Sequence, residues 1–306
     1  MFNLNRFKLN RRDFLQTLVC GAAGLSFSYK AWGQAGGIEV TKITDTIALL
    51  TGDGGNVAVV IGKDGLMMID GGLKELAEDL QKAVASVDGH KVQILFNTHW
   101  HVDHVGSNEL LGQSGAKIIA HENVKKRLSM TVVSDALRQT FQPLSPAGIP
   151  VETFSKGGKM TFGKEKLEYT YVPNIHTDND SYVFFPEANI LHTGDMFFNG
   201  LYPYIDYSTG GRLSGMASAY EHLAKVGDEK TRVIPGHGPL GTKADLKASC
   251  DMLATVLNRL EPMAKKGMTE REAIKAEPTK DLDAKWGQFV PADMFLHMAY
   301  GSLLKG

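Results

Sequence analysis

Four side chains that bind metal ions in proteins stand within six consecutive positions: His99, His101, Asp103 and His104. Side chains two apart in an extended chain point to the same side, so His99 and His101 can bind one ion together. Asp103 and His104 follow after the chain turns, and they can face a second ion. Imidazole nitrogens and carboxylate oxygens suit zinc and, to a lesser degree, iron or manganese. Because the chain has only 10 histidines in 306 residues, this clustering argues against an ordinary surface loop.

The segments around this cluster predict how it is held. Val92 to Phe96 is a short run of mostly bulky apolar residues, which is typical of a buried strand. Earlier in the chain, Leu66 to Ile69 predicts another strand and Leu73 to Val87 predicts an amphipathic helix. After the cluster, Ser107 to Leu111 begins a helix. We therefore expect the metal-binding side chains where a strand ends and a loop begins.

The pattern His-x-His-x-Asp-His after a hydrophobic strand resembles the signature of the metallo-β-lactamase superfamily. The resemblance implies three further ligands, and His176, Asp195 and His237 match their positions. It implies that His176 completes the first site, that His237, in a Gly-His-Gly turn, completes the second, and that Asp195 bridges two ions. In chain order, the implied ligands are His99, His101, Asp103, His104, His176, Asp195 and His237.

The aspartate at position 195 also distinguishes branches of this superfamily. The β-lactamases that use a cysteine ligand carry that cysteine near this place. The two cysteines here are Cys20, in an N-terminal apolar segment, and Cys250, in a predicted helix far downstream. The resemblance is therefore closer to the glyoxalase II-like and general hydrolase branches, which use a bridging aspartate. If the N-terminal segment is removed, one cysteine is left and no intrachain disulfide can form.

Other polar and aromatic residues are candidates for supporting roles. The resemblance implies that Asp70 stands behind the ligands without binding an ion. We expect His192 to be packed in the interior or to support a ligand. Trp100, Tyr202 and Tyr204 are candidates for lining a substrate pocket. For the tyrosines, covering the hydrophobic core is an equal alternative.

The resemblance implies an α/β (α+β) fold, a four-layer αββα sandwich with a helical C-terminal tail. Residues 38–240 form the metallo-β-lactamase-like domain in this interpretation, and residues 241–306 form a helical extension packed on it. Thr269 and Glu272 are spaced as a capping box at the start of one tail helix. The segment from Glu122 to Gln139 also predicts a helix. The tail does not match the glutathione-binding extension of glyoxalase II enzymes, which argues against a glutathione thioester as substrate.

The N-terminal segment, residues 1–35, predicts export. Asn10 to Gln16 resembles the twin-arginine export motif, and the apolar stretch within the segment is too short to span a bilayer. We expect cleavage near Gly33 or Ala35, a periplasmic or otherwise exported product, the twin-arginine export machinery as a partner, and no stable membrane anchor after cleavage. The net charge of −1 hides a basic N-terminus, so the rest of the chain is mildly acidic, which argues against nucleic-acid binding.

The resemblance implies hydrolysis of a small-molecule substrate by water that two metal ions, expected to be Zn²⁺, activate. Asp103 and Asp195 are the residues implied in catalysis. The bond cleaved is an acyl bond, with β-lactams, lactones, esters and thioesters as the alternatives, because loops rather than the metal site choose the substrate. Two other functions stay open: an iron-dependent oxidoreductase of the same fold, and a non-catalytic periplasmic metal-binding accessory protein.

Overall fold

The computed structural model describes residues 37–305. The predicted export segment, residues 1–35, lies outside this range, so its role stays a prediction. The strands are β1 (Glu39–Lys42), β2 (Ile47–Thr51), β3 (Val57–Ile61), β4 (Leu66–Ile69), β5 (Val92–Asn97), β6 (Lys117–His121), β7 (Val132–Ser134), β8 (Gln139–Phe141), β9 (Glu152–Phe154), β10 (Gly157–Phe162), β11 (Glu165–Tyr171), β12 (Ser181–Phe185), β13 (Ile190–His192) and β14 (Arg232–Ile234). The α-helices are α1 (Ala77–Val87), α2 (Val102–Val105), α3 (Asn108–Gln113), α4 (Glu122–Leu128), α5 (Leu213–Leu223), α6 (Lys243–Lys265), α7 (Glu270–Lys275), α8 (Lys280–Trp286) and α9 (Ala292–Leu304).

Two sheets contain most of these strands. The first has the order β1-β2-β3-β4-β5-β6-β9, and the second has the order β10-β11-β12-β13-β14. Strands β1 to β4 pair antiparallel, whereas β4, β5, β6 and β9 run parallel. Parallel neighbours need crossover connections. Helix α1 lies in the connection between β4 and β5, and α2 and α3 lie in the connection between β5 and β6.

The two sheets pack face to face, and helices cover their outer faces. Phe96 of the first sheet and Phe185 of the second belong to the apolar layer between them. Leu80 of α1 packs on the outer face of the first sheet. On the outer face of the second sheet, Leu191 shares a core with Leu253 of α6. This arrangement is the four-layer αββα sandwich that the resemblance implies.

The helices after position 240 pack on this body. The predicted capping box of Thr269 and Glu272 is present at the start of α7. Phe295 of α9 stacks on Tyr202, with ring centroids 4.2 Å apart. The tail is thus part of one continuous core with the second sheet.

Among residues 37–305, no helix combines the length and apolar composition that crossing a membrane requires.

The segment after α4 differs from the prediction of a helix from Glu122 to Gln139. Helix α4 ends at Leu128, and β7 and β8 form a separate two-stranded sheet. The β-branched pair Val132 and Val133 favours extended backbone. Arg138, with a φ of 52°, lies in the turn between the strands. The helical prediction is therefore wrong beyond the first two turns.

Candidate metal centre

The candidate ligands lie where strands of both sheets end. His99 and His101 follow β5, and α2 contains Asp103 and His104. Asp195 follows β13 and His237 follows β14, and these strands are parallel neighbours, so their carboxyl ends meet at one edge. His176 follows β11, which is parallel to β13 because β12 pairs antiparallel with both. The sheet topology alone therefore brings distant parts of the chain to one place.

Three histidines and one aspartate form the first ligand group. The ligand atoms of His99, His101, His176 and Asp195 all lie within 4.8 Å of one another. The Nδ1 atom of His101 is 2.7 Å from Nε2 of His176. All four residues are at most 6% exposed. Such a set of imidazoles with a carboxylate is one that zinc accepts.

Asp103, His104 and His237 form the second ligand group, again within 4.8 Å of one another. The Oδ2 atom of Asp103 is 3.1 Å from Nε2 of His237 and 3.7 Å from Nε2 of His104. The Asp103 side chain is 23% exposed, against 8% for His237. Solvent therefore reaches the centre beside Asp103.

Asp195 lies between the two groups, and its two oxygen atoms face different ones. Its Oδ2 atom is 3.7 Å from Nε2 of His99 and 3.4 Å from Nε2 of His176. Its Oδ1 atom is 3.0 Å from Nε2 of His104 and 3.6 Å from Nε2 of His237. One carboxylate can thus contribute to both groups at once.

Three buried atoms of the centre form no hydrogen bond within the described part of the chain: Nε2 of His99, Nε2 of His104 and Oδ1 of Asp195. Nε2 of His104 and Oδ1 of Asp195 are 3.0 Å apart, but their orientation does not allow a hydrogen bond between them. Leaving buried polar atoms unpaired costs free energy. Two ligands about 2.1 Å from a tetrahedral zinc ion stand roughly 3.4 Å apart. The nitrogen–oxygen distances here, from 3.0 to 3.7 Å, fit metal ions held between these residues.

A family model described as the metallo-beta-lactamase superfamily matches residues 50–238. The chain belongs to this superfamily. It is 24% identical over 199 residues to a metallo-beta-lactamase type 2 of Bacillus sp. (strain 170), covering 65% of this chain and 72% of that protein. It is 25% identical over 213 residues to the hydroxyacylglutathione hydrolase GloC of Haemophilus influenzae, covering 69% of this chain and 94% of that protein. The solved metallo-beta-lactamase from Pontibacter korlensis has a TM-score of 0.59 at 22% identity, over 71% of this chain and 99% of that chain.

The family model confirms the family, and the solved structure confirms the fold. The family match and the two relatives together confirm the prediction of an enzyme. The chain is a metal-dependent hydrolase of the metallo-beta-lactamase superfamily. The His/Asp cluster of this superfamily member is its candidate metal site.

In the first group, each supporting contact uses the ring nitrogen that faces away from the ligand cluster. Nε2 of His101 is 3.2 Å from Oδ2 of Asp206. Nδ1 of His176 donates to the backbone carbonyl of Tyr204, at 2.9 Å. Such contacts fix the tautomer and the orientation of a metal-binding imidazole. They leave Nδ1 of His101 and Nε2 of His176 for an ion.

Asp70 stands behind the candidate ligands. Its Oδ2 atom is 2.8 Å from Nδ1 of His104, and it also accepts a hydrogen bond from the Thr98 hydroxyl. That hydroxyl is 3.0 Å from Nδ1 of His99. Asp70 has a φ of 67°, a left-handed conformation that is unusual for aspartate. Asp70 therefore contacts a ring of the second group directly and a ring of the first group through Thr98.

Asp206 contacts a candidate ligand, and the sequence prediction missed it. Besides His101, it accepts hydrogen bonds from the Ser134 hydroxyl at 2.9 Å and the Thr209 hydroxyl at 2.8 Å. Both donors hold the carboxylate in one orientation. Asp206 lies in a tyrosine- and glycine-rich loop with no metal-site motif, so no signal in the sequence marks it.

Asn56 is a second residue that the sequence prediction missed. Its side-chain amide donates to the carbonyls of Pro235 and Gly238, at 2.9 Å each. Its backbone N–H donates to the carbonyl of Gly236, at 2.8 Å. Asn56 thereby holds the turn that contains His237. Its place in a Gly-rich turn is sufficient to explain an asparagine, which is why the sequence gives no hint of this role.

Two of the three predicted pocket residues are buried instead. Trp100 is 2% exposed and packs edge-on against Phe141, with ring centroids 4.9 Å apart. Tyr202 is fully buried, and its hydroxyl donates to Asp283 at 2.9 Å. Both rings fill the core, and for Tyr202 this is one of the two alternatives that the sequence leaves open. Tyr204 is half-buried, and its ring lies beside the candidate centre.

His192 is fully buried directly before the Asp195 turn. Its Nδ1 atom accepts a hydrogen bond from the backbone N–H of Gly194, at 3.3 Å. Burial lowers the pKa of His192 to about 4, so the ring is neutral at physiological pH. This placement suits the packed or supporting role that the sequence predicts.

Burial and nearby carboxylates set the pKa values of the candidate ligands apart. Burial lowers the pKa of His176 to about 4 and that of His99 well below its ordinary value. Burial also opposes a charge on His237, but the Asp195 and Asp103 carboxylates outweigh it and raise the pKa to about 9. In the metal-free protein at neutral pH, His99 and His176 are therefore neutral, whereas His237 holds a proton.

Proposed function

We propose that this superfamily member is an exported binuclear zinc hydrolase that cleaves an acyl bond. One observation carries the proposal: Asp195 directs one oxygen toward each ligand group, at distances that suit ligands of shared ions. A carboxylate in that position can bridge two metals. The donor set of five imidazoles and two carboxylates favours zinc over magnesium or calcium.

Zinc bound at this centre supplies Lewis acidity, which makes water nucleophilic near neutral pH and stabilises negative charge on a carbonyl oxygen. The side chains position the reaction. Asp103 is the most exposed candidate ligand, and its carboxylate accepts a hydrogen bond from the attacking water and orients it. Asp206 and the Tyr204 carbonyl hold His101 and His176. No side chain needs to form a covalent intermediate.

The substrate class follows from chemistry that the relatives share. One relative is named as a metallo-beta-lactamase and another as a hydroxyacylglutathione hydrolase. An aspartate at position 195, where other branches use cysteine, supports placement with the glyoxalase II-like and general hydrolases. β-Lactams, lactones, esters and thioesters are all acyl compounds open to attack by activated water, and they are the proposed substrates.

Export through the twin-arginine machinery is proposed from the motif at Asn10 to Gln16. That route transports folded proteins, so the metal can be bound before export. Cell fractionation tests it. We expect the wild-type protein in the periplasm, and retention in the cytoplasm when Arg11 and Arg12 are both replaced by lysine. Equal export of both forms would remove this part of the proposal.

The hydrolase proposal is tested on the purified protein by elemental analysis together with turnover of nitrocefin, p-nitrophenyl acetate and a chromogenic lactone, before and after a chelator. We expect close to two zinc ions per chain and hydrolysis that the chelator abolishes. Iron with no hydrolysis of any substrate would favour the oxidoreductase alternative. Chelator-resistant hydrolysis at less than one metal per chain would contradict the mechanism.

A further inference from the structure

We propose that the C-terminal extension completes the substrate site with an aromatic wall, formed by Phe198, Tyr204 and Phe289. This wall selects acyl substrates that have an aromatic or bulky apolar group next to the cleaved bond. The inference rests on the proposed hydrolase function and names the substrate class for it.

The three rings form one continuous surface around the candidate ligand His237. The His237 ring stacks with Phe289, at a centroid distance of 4.9 Å, and with Phe198, at 5.1 Å. Tyr204 lies 6.0 Å from Phe289 and 6.4 Å from Phe198. Phe198 is also 6.0 Å from His176. The wall therefore touches both ligand groups.

Two of the three rings of the wall keep part of their surface exposed to solvent. Phe198 is fully buried and forms the base, whereas Tyr204 and Phe289 are half-buried. His237 stacks with two of these rings, and its Nε2 atom is 3.1 Å from Oδ2 of Asp103, the most exposed candidate ligand. Apolar rings next to a few convergent polar groups are typical of small-molecule sites. A substrate whose carbonyl lies at the centre would place a neighbouring group against these rings.

The C-terminal extension holds Phe289 in place. This residue lies between α8 and α9, outside the residues 50–238 that match the family model. The flanking residues Trp286 and Val290 are 4% and 0% exposed. The backbone N–H of Tyr202 donates to the carbonyl of Trp286, at 2.7 Å. The ring is thus anchored from both sides, and the wall is formed before substrate binds.

The wall offers a substrate mainly apolar contact. The lysines that lie over aromatic rings in residues 37–305 contact Trp286 and Tyr207, not the wall. An apolar group of the substrate that packs against these rings gains burial.

The test compares p-nitrophenyl phenylacetate with p-nitrophenyl acetate, using the zinc-loaded full chain. The variants are Phe289→Ala, Phe289→Tyr and, as a control, Met294→Ala, which removes another half-buried side chain of the same tail. We expect the wild type to prefer phenylacetate in kcat/KM. Phe289→Ala should reduce that preference at least about tenfold, the usual effect of losing apolar contacts in a pocket. Phe289→Tyr and Met294→Ala should keep it.

A second readout does not depend on turnover. Binding of phenylacetamide to the chelator-treated protein is measured by calorimetry, and Phe289→Ala should weaken it by a similar factor. Equal loss of kcat/KM for both esters in Phe289→Ala, with unchanged phenylacetamide binding, would show that the ring only packs His237 and would overturn the inference. An unchanged preference would overturn it too. If the zinc-loaded wild type hydrolyses neither ester, nor nitrocefin, nor a lactone, the proposed function itself fails.

Discussion

The two ligand groups of this centre differ in charge and in exposure. The group of His99, His101 and His176 is buried, and burial keeps at least two of its rings neutral. The group of Asp103, His104 and His237 includes a carboxylate that is 23% exposed, and nearby carboxylates raise the pKa of both its histidines. The first group is therefore ready to bind a metal at neutral pH. The second group must first release protons.

The residues that support the two groups also come from different parts of the molecule. Asp206 and the Tyr204 carbonyl, both in the loop before α5, hold the rings of the first group. Asn56, from the turn between β2 and β3, holds the turn that contains His237. One group is thus supported from the second sheet's side and the other from the first sheet's hairpins. Asp195 joins them, and Asp70 contacts a ring of the second and, through Thr98, a ring of the first.

Removing Asp195 should have the largest effect, because both groups lose a ligand together. We expect Asp195→Ala to lower kcat/KM by at least about a thousandfold, with zinc content well below that of the wild type and unchanged circular dichroism. Asp64→Ala, at an exposed turn aspartate, is the matched control. Retention of two zinc ions and of activity in Asp195→Ala would exclude a shared carboxylate.

Acidification should separate the two groups. In the metal-free protein the raised pKa of His237, about 9, means that its proton must leave when metal binds. Zinc affinity of the second group should therefore fall as the pH decreases below 9, up to about tenfold per pH unit for each proton displaced. His176, with a pKa of about 4, imposes no such cost above pH 5. Equilibrium dialysis should find about two zinc ions at pH 8 and fewer at pH 6. A pH-independent stoichiometry would contradict the comparison.

Substitution of the two supporting aspartates should weaken different groups. Asp206→Asn removes the charged partner of His101, and Asp70→Asn removes that of His104. Loss of such a partner typically costs 10- to 100-fold in metal affinity, so we expect roughly that loss in the first group for Asp206→Asn. Asp70→Asn should weaken mainly the second group. Competition with a chromophoric chelator measures both affinities. Identical binding curves for the two variants would show that the groups are not supported separately.

The smallest predicted effect is that of Asn56→Ala. The substitution removes two hydrogen bonds to the turn that contains His237, and each contributes about 0.5–1.5 kcal/mol. Urea denaturation should show a loss of about 1–3 kcal/mol in the free energy of unfolding, with weaker binding of the second zinc ion. Asn258→Ala, on the exposed face of α6, should change neither quantity. An unchanged free energy of unfolding in Asn56→Ala would mean that the turn containing His237 does not depend on the Asn56 side chain.

The sequence could predict where the candidate ligands lie, because each follows a strand signal and strand ends meet at one edge of the sandwich. His99 and His101 follow the run Val92 to Phe96, and the structure places β5 there. Asp195 follows β13, and His237 follows β14. The alternation of short apolar segments with turns was enough to order these strands along the chain. It was not enough for residues 129–139, where a β-branched pair outweighs helical periodicity.

The sequence could not predict contacts that depend on how distant loops pack. Asp206 reaches His101 across 105 positions, from a loop without a recognisable motif. Phe289 reaches His237 from a link between two short helices of the tail. Tyr202 and Tyr204 are two positions apart in the same loop, yet one is buried and the other half-buried. Only tertiary packing decides between such neighbours.

The central claim, that two ion-binding groups act together, is tested most directly by titrating the metal-free protein with zinc. Uptake and p-nitrophenyl acetate hydrolysis are followed in the same samples at pH 8. We predict uptake of two equivalents of zinc, with a rate of hydrolysis that keeps rising as the second equivalent binds. Maximal hydrolysis with less than one equivalent, or no uptake at micromolar zinc, would contradict it.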